Sequence, residues 1–193
     1  MGIQALSGAA ERDTDFIYVC YDNEAYMNTG VQRSSATPSG AVTTTTPVLP
    51  KEQPKKDFIQ IMEAHHPRYL ATTCSSYPGD LYNKFVRARE VKGTRFIHLA
   101  IPCPPGWGFA TKDTVKLGRM AVEAGIVVLY EVDDGEFRLT GKSLNMARSG
   151  RKRSVEEYLA SQSRFKKMGV EAMAFFQKQV DERWDQLMRR AGF

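Results

Sequence analysis

Asp22, Asn23 and Glu24 stand in a row and offer oxygen atoms of the kind Mg²⁺ prefers. They follow the apolar run Phe16-Ile17-Tyr18-Val19-Cys20, which reads as a buried strand. Asn28, Thr29 and Gly30 add polar groups and a flexible backbone a few residues on. In open α/β sheets ligands sit outside the carboxyl ends of the strands. The loop Tyr21 to Ser35 is therefore a candidate site for a divalent ion and its ligand. A polar turn using Asn and Gly for backbone reasons has the same composition. A second candidate is Pro102-Cys103-Pro104-Pro105-Gly106-Trp107, after the strand-like run Phe96 to Ile101. Its prolines fix the backbone around a thiol, and its place in the chain puts Cys103 on the same sheet edge as the first loop. Arg33 has the planar fork that meets phosphate or carboxylate, or is an exposed side chain on a polar loop.

The elements that would position these groups follow from periodicity. Ile3, Leu6 and Ala10 predict a short helix over residues 3–12. Asp57 caps a helix to His66 with Phe58, Ile61, Met62 and His65 on one face, stopped by Pro67. Tyr69 to Thr73 is a strand, and Asp80 opens a helix with Leu81, Phe85 and Ala88 inward. Thr111 to Ala124 is a helix with Val115, Met120, Val122 and Ala124 apolar, ended by Gly125. Ile126 to Val132 and Glu136 to Leu139 form a hairpin around Asp133-Asp134-Gly135. Ser154-Val155-Glu156-Glu157 reads as a capping box. Val170, Met173, Phe176, Val180, Trp184 and Leu187 mark a long amphipathic helix. Alternating helix and strand predicts an α/β fold, a parallel sheet with helices on both faces and right-handed crossovers. Residues 1–132 form the α/β part and 133–193 a hairpin and helical extension. Gly30 to Pro54 is long, rich in Thr, Ser, Pro and Gly, and reads as a functional covering loop.

Other chemistry-bearing residues have plainer readings. His65 and His66 are acid–base types, but their place at a helix end suits a histidine against the negative dipole. Cys20 and Cys74 lie in apolar strands and read as small hydrophobes. No CxxC pair or complete metal motif occurs among the three cysteines. The 193 residues carry a net charge of +5, largely from late Arg and Lys such as Arg148, Arg151, Arg164 and Lys166, which read as a solvated face. A nucleic-acid-binding role lacks an aromatic-interleaved basic patch, and no run is long enough to span a membrane. The N-terminus lacks the pattern of a signal peptide, so a cytoplasmic protein is expected.

Tyr21-Asp22-Asn23-Glu24-Ala25-Tyr26-Met27-Asn28-Thr29-Gly30 and Pro102-Cys103-Pro104-Pro105-Gly106-Trp107 together resemble the thiamin diphosphate-binding β subunit of the 2-oxoacid:ferredoxin oxidoreductases. Gly2 to Ala9, Ala36-Thr37-Pro38, Thr43 to Pro47 and Lys55-Lys56-Asp57 extend the likeness over nearly all of residues 2–165. The resemblance implies that Asn23 gives Mg²⁺ a side-chain oxygen and Ala25 a backbone carbonyl. It implies that Asn28 lies near the thiazolium ring and substrate, as the catalytic residue of this chain. Asp22 and Glu24 could orient the loop. Cys103 would be the fourth ligand of a [4Fe–4S] cluster whose other thiolates are absent here. The family's Gly-Asp-Gly motif is absent as well, so the chain reads as the C-terminal part of a longer β subunit.

The function so implied is oxidative decarboxylation of pyruvate to acetyl-coenzyme A and CO₂, with electrons passing through iron–sulfur clusters to ferredoxin. Partners would be the other (α, γ, δ type) subunits, ferredoxin, the 2-oxoacid and coenzyme A. 2-Oxoglutarate, branched-chain 2-oxoacids or aryl glyoxylates are alternative substrates. A further alternative is a non-catalytic fragment that keeps the fold and binds partner subunits.

Overall fold

The computed structural model describes residues 2–193. Helix α1, Ile3–Glu11, buries Leu6 and Ala10. It leads into strand β1, Phe16–Asp22. After the long loop come α2, Phe58–Glu63, and β2, Tyr69–Cys74, every residue of which is buried. Next are α3, Pro78–Glu90, and β3, Thr94–Ala100. A single turn of helix, α4, spans Pro104–Trp107, and α5 covers Thr114–Glu123. The chain ends with β4 (Tyr130–Asp133), β5 (Glu136–Leu139), α6 (Gly141–Ser149), α7 (Glu156–Ala160) and α8 (Val170–Arg190).

The five strands lie in the order β1-β3-β2-β4-β5. The first three are parallel, with Asp22 opposite Ala100 and Cys74 also opposite Ala100 across β3. Their carboxyl ends therefore share one edge. The last two strands are antiparallel, β4 to β2 and β5 to β4. The expected sheet is thus mostly parallel, with one reversed strand, β4, the first of the hairpin. Alternation of helix and strand does not say from which edge α5 returns the chain. The hairpin itself turns on Asp134 (φ 50°) and Gly135 (φ 85°), two consecutive left-handed residues of the kind a two-residue hairpin requires.

Helices cover both faces. On one, Leu70, Phe96, Tyr130 and Val132 pack with Leu6, Phe58, Met62, Trp184 and Met188, bringing together α1, α2 and the end of α8. On the other, Tyr69, Ala71 and Ile97 meet Ala88 of α3. The first half of α8 joins a second cluster, with Trp107, Leu117, Tyr158, Phe165, Phe176 and Val180.

Local signals explain most boundaries. Asp57 accepts a hydrogen bond from the Gln60 amide at 3.0 Å and caps α2. Helix α3 opens at Pro78 rather than Asp80, since proline suits the first turn where no amide partner is needed. Asp80 instead accepts from Thr73, Lys84 and Thr140. Ser154 does not form a capping box: its Oγ accepts from the Glu156 amide at 3.2 Å and α7 begins there. A 3-10 turn over Thr111–Asp113 precedes α5, and Val115 is 52% exposed while Met120 and Val122 are buried.

Candidate functional site

At the shared edge, the Ile101 amide donates to the Asp22 carbonyl at 2.9 Å, so β1 and β3 release their loops side by side. The first loop turns at once. Asp22 Oδ1 accepts from the Glu24 amide at 2.9 Å, and Glu24 takes a left-handed φ of 70°. Tyr26 and Gln32 then pair through their backbones, and the chain between them tightens through Gly30 (φ 117°) and Val31 (φ 61°). A β-branched residue at such a φ is strained and must be held by its surroundings. Thr44 supplies that hold, donating its amide to the Val31 carbonyl at 3.1 Å and its hydroxyl to the Gly30 carbonyl at 2.6 Å.

The second loop meets the first. Trp107 Nε1 donates to the Asn23 carbonyl at 2.9 Å. Gly106 faces Met27 so closely that a Cβ there would overlap its sulfur and lie 3.4 Å from Cys103 Sγ. The structure thus brings Asn23, Ala25, Met27 and Cys103 to one edge, as the sequence predicted for the two loops.

Beneath them lies a buried chain of charges. Asp22 Oδ2 pairs with Lys55 at 2.6 Å and with His98 Nε2 at 2.9 Å. Glu24, 7% exposed, pairs with Lys55 at 2.9 Å and Arg164 at 2.7 Å. Burial alone would raise the Asp22 carboxyl, but Lys55 and the His98 bond outweigh it and hold it far below the usual range. Glu24 is lowered likewise: Lys55 and Arg164 overcome its desolvation. Lys55 is raised, since the two carboxylates more than offset its burial.

Arg164 ties this network to the second loop. Only 5% exposed, it donates to Gln162 Oε1 at 2.9 Å and the Tyr158 hydroxyl at 3.2 Å, and lies 4.1 Å over the Trp107 ring. Its carbonyl also accepts from the Val42 amide at 2.8 Å, which fastens the covering loop. The expectation of a solvated Arg164 is therefore corrected: two aromatic rings and a carboxylate repay its desolvation. A charge run in a sequence does not reveal which member turns inward.

The carboxylates Asp22 and Glu24 are spent on these cations. Hard oxygens left for a metal are fewer than the Asp-Asn-Glu string suggests. Among the described residues, the Asn23 side-chain amide and the Ala25 carbonyl take part in no hydrogen bond, and the exposed Asn28 side chain is equally uncommitted. Those two oxygens are of the type a divalent ion takes and are free to bind one. No group of three or more His, Cys, Asp or Glu residues able to hold a metal occurs among the described residues. Cys20 lies within β1 and buried Cys74 at the end of β2, each a free thiol, so the Cys103 loop offers a cluster one thiolate where four are needed. Cys20 is pushed up to about 11, chiefly by burial.

Sequence reasoning missed His98, the ion pairs of half-buried Lys55 and buried Arg164, and a cavity of about 290 Å³ bounded by Glu24, Lys55, His98, Phe58, Phe176 and Val180. Lys55 alone carried a signal, in the Lys55-Lys56-Asp57 string. His65 stands where expected, with Nδ1 at 2.8 Å from the Ile61 carbonyl near the end of α2 and Nε2 at 2.7 Å from Ser7 Oγ. Arg33 reaches Gln53 Oε1 at 2.6 Å.

Known proteins frame this geometry. Residues 1–99 match the family model described as thiamine pyrophosphate enzyme, C-terminal TPP binding domain. Pyruvate synthase subunit PorB of Methanothermobacter marburgensis is 48% identical over 185 residues, 94% of this chain and 62% of its own. Ketoisovalerate oxidoreductase subunit VorB of Pyrococcus horikoshii is 41% identical over 196 residues, 99% of this chain and 61% of its own. The chain thus spans about three fifths of the length of these relatives. Among solved structures, the 2-oxoglutarate:ferredoxin oxidoreductase of Magnetococcus marinus, with 2-oxoglutarate, coenzyme A and succinyl-CoA bound, aligns with a TM-score of 0.52 at 17% identity. The alignment covers 82% of this chain and 62% of that one, a likeness of fold. With its family match over half its length and its PorB and VorB relatives, the chain belongs to the thiamine pyrophosphate enzymes through their C-terminal TPP-binding domain.

Proposed function

We propose that this chain is the cofactor-binding part of a β subunit in a 2-oxoacid:ferredoxin oxidoreductase, with pyruvate as substrate. The net reaction is oxidative decarboxylation of pyruvate with coenzyme A to acetyl-coenzyme A and CO₂, electrons leaving to ferredoxin. The observation that carries this reading is the Trp107–Asn23 hydrogen bond, which joins the oxygen-bearing loop to the Cys103 loop at one sheet edge. The names of the PorB relatives favour pyruvate, and the VorB names keep a branched-chain 2-oxoacid as the second substrate reading.

Bound thiamin diphosphate supplies the electron sink that decarboxylation needs. The protein's share is position and charge. Asn23 Oδ1 and the Ala25 carbonyl would hold Mg²⁺, and Asn28 would face the reacting end and the substrate. Trp107 occupies the Asn23 carbonyl, so that residue presents its side chain. Lys55 and Arg164 neutralise Asp22 and Glu24, and His98 hydrogen-bonds Asp22, so the loop is held by internal contacts whether or not a metal is present. Residues 1–132 carry these groups, and the extension 133–193 braces them through Arg164. Cys103 would give one thiolate to a cluster completed by residues outside this chain. Other subunits, ferredoxin and coenzyme A would be partners of the assembly, and the cytoplasm its setting. No helix among the described residues is long and apolar enough to cross a membrane.

The test assembles the chain with partner subunits, thiamin diphosphate and Mg²⁺ and follows pyruvate-dependent reduction of a ferredoxin-type acceptor. Asn23→Ala is expected to weaken Mg²⁺-dependent cofactor binding, and Asn28→Ala to lower turnover with binding kept. Wild-type cofactor affinity in Asn23→Ala would refute the metal assignment.

A further inference from the structure

Asn23 is held through its backbone. Of the hydrogen bonds among the described residues, the one that reaches it runs from Trp107 Nε1 to its carbonyl. The same peptide unit is pinned at its other end, where the Glu24 amide donates to Asp22 Oδ1 at 2.9 Å. This orientation keeps Glu24 at its left-handed φ of 70°, which a residue with a Cβ rarely adopts. Turning the Asn23–Glu24 peptide over would return Glu24 to ordinary backbone and swing both groups away from their partners. Two hydrogen bonds therefore oppose the relief of strain, one local and one from the Cys103 loop.

Trp107 is itself fixed. It is 3% exposed, with the Tyr158 ring edge-on at 6.5 Å and the Arg164 guanidinium 4.1 Å from its ring centre. Arg164 pairs in turn with Glu24 at 2.7 Å. Asn23, Trp107, Arg164 and Glu24 thus form a closed ring of contacts that begins and ends at one peptide bond. The Trp107 amide donates to the Cys103 carbonyl at 2.9 Å, so the residue that grips Asn23 also closes the turn opening at Cys103.

We propose that Trp107 is a positioning residue for the divalent ion. Its indole N–H holds the Asn23–Glu24 peptide against the turn that would relieve Glu24, and so keeps Asn23 set to receive the ion. The proposal rests on the assignment of Asn23 to Mg²⁺ made above. Indole has a single donor, and here the Asn23 carbonyl takes it, so Trp107 acts through Asn23 and not on the ion.

The experiment measures Mg²⁺ affinity by calorimetry in the chain assembled with its partner subunits, thiamin diphosphate saturating. Wild type, Trp107→Phe, Asn23→Ala and the double variant are compared. Phenylalanine keeps a ring beside Tyr158 and Arg164 and removes the donor. Trp107→Phe is expected to weaken Mg²⁺ binding by about fivefold, the net contribution of one hydrogen bond. In the Asn23→Ala background the same change should have almost no further effect, because its route to the ion is gone. A residue serving only packing would lower affinity equally in both backgrounds. Thermal unfolding shows which variants fold, and Trp107→benzothienylalanine, which keeps two fused rings without the N–H, serves if the phenylalanine variant does not. Wild-type Mg²⁺ affinity in Trp107→Phe, beside a weakened Asn23→Ala, would overturn the proposal and leave the metal assignment standing. Equal losses in both backgrounds would also overturn it. Wild-type affinity in Asn23→Ala, or no Mg²⁺ binding by the wild type, would overturn both.

Discussion

At the scale of single residues, Arg164 has the most to lose. It is buried between Trp107, Phe165 and Glu24, and its removal leaves a buried carboxylate short of one cation. Breaking such a pair by deleting one partner costs about 3–5 kcal/mol. Urea unfolding of Arg164→Ala should show a loss of that order, and an unchanged midpoint would mean that Glu24 does not depend on it. The same network sets an acid limit. Asp22 and Glu24 have folded values below their ordinary 3.8 and 4.5, so their contribution to stability is complete above those values. It drains away as pH falls below about 4 and the carboxylates protonate. Asp22→Asn should therefore flatten the acid limb of a stability–pH curve, and an equally steep limb would remove Asp22 from the account. For the thiols, Cys20 at about 11 has roughly one thiolate in a thousand at pH 8, and Cys74 is buried. Mass spectrometry after brief native alkylation should find Cys103 modified before either. Early labelling of Cys74 would contradict its burial.

Among the elements, α4 is the most exacting joint. Its Gly106 leaves room for Met27 of the neighbouring loop, and a methyl group there would strike the sulfur. Gly106→Ala should cost about 1–3 kcal/mol by overpacking, and Met27→Ala in the same chain should recover part of it. No recovery in the double variant, measured by thermal unfolding, would show that the clash lies elsewhere. Elements with a local rule behind them were legible from sequence: Asp57 at its cap, Asp134-Gly135 at the hairpin, and the stripe that became α8. Both site loops were legible too, because each directly follows an apolar strand of a parallel sheet. What escaped was long-range. His98 sits in a strand and reads as filler, yet bonds Asp22 across 76 residues. Lys84 sits at an ordinary helical position, but α3 turns it into the core, where the Asp80 carboxylate and the Thr72 carbonyl receive it. Such partners are set by how elements pack, and no spacing within one element encodes them.

For the molecule as a whole, β1 closes one side of the sheet. It pairs with β3 along seven residues, and none of the described strands pairs with its outer side. Val19 and Tyr21 of that strand are 36% and 64% exposed. A row of unpaired amides and carbonyls beside exposed apolar side chains is a template for another strand. Produced by itself, the chain is expected to self-associate as its concentration rises, visible as a shift in sedimentation. A lysine at position 19 should suppress that shift by placing a charge where two such borders would meet. Persistence of the shift in Val19→Lys would locate the adhesive surface elsewhere.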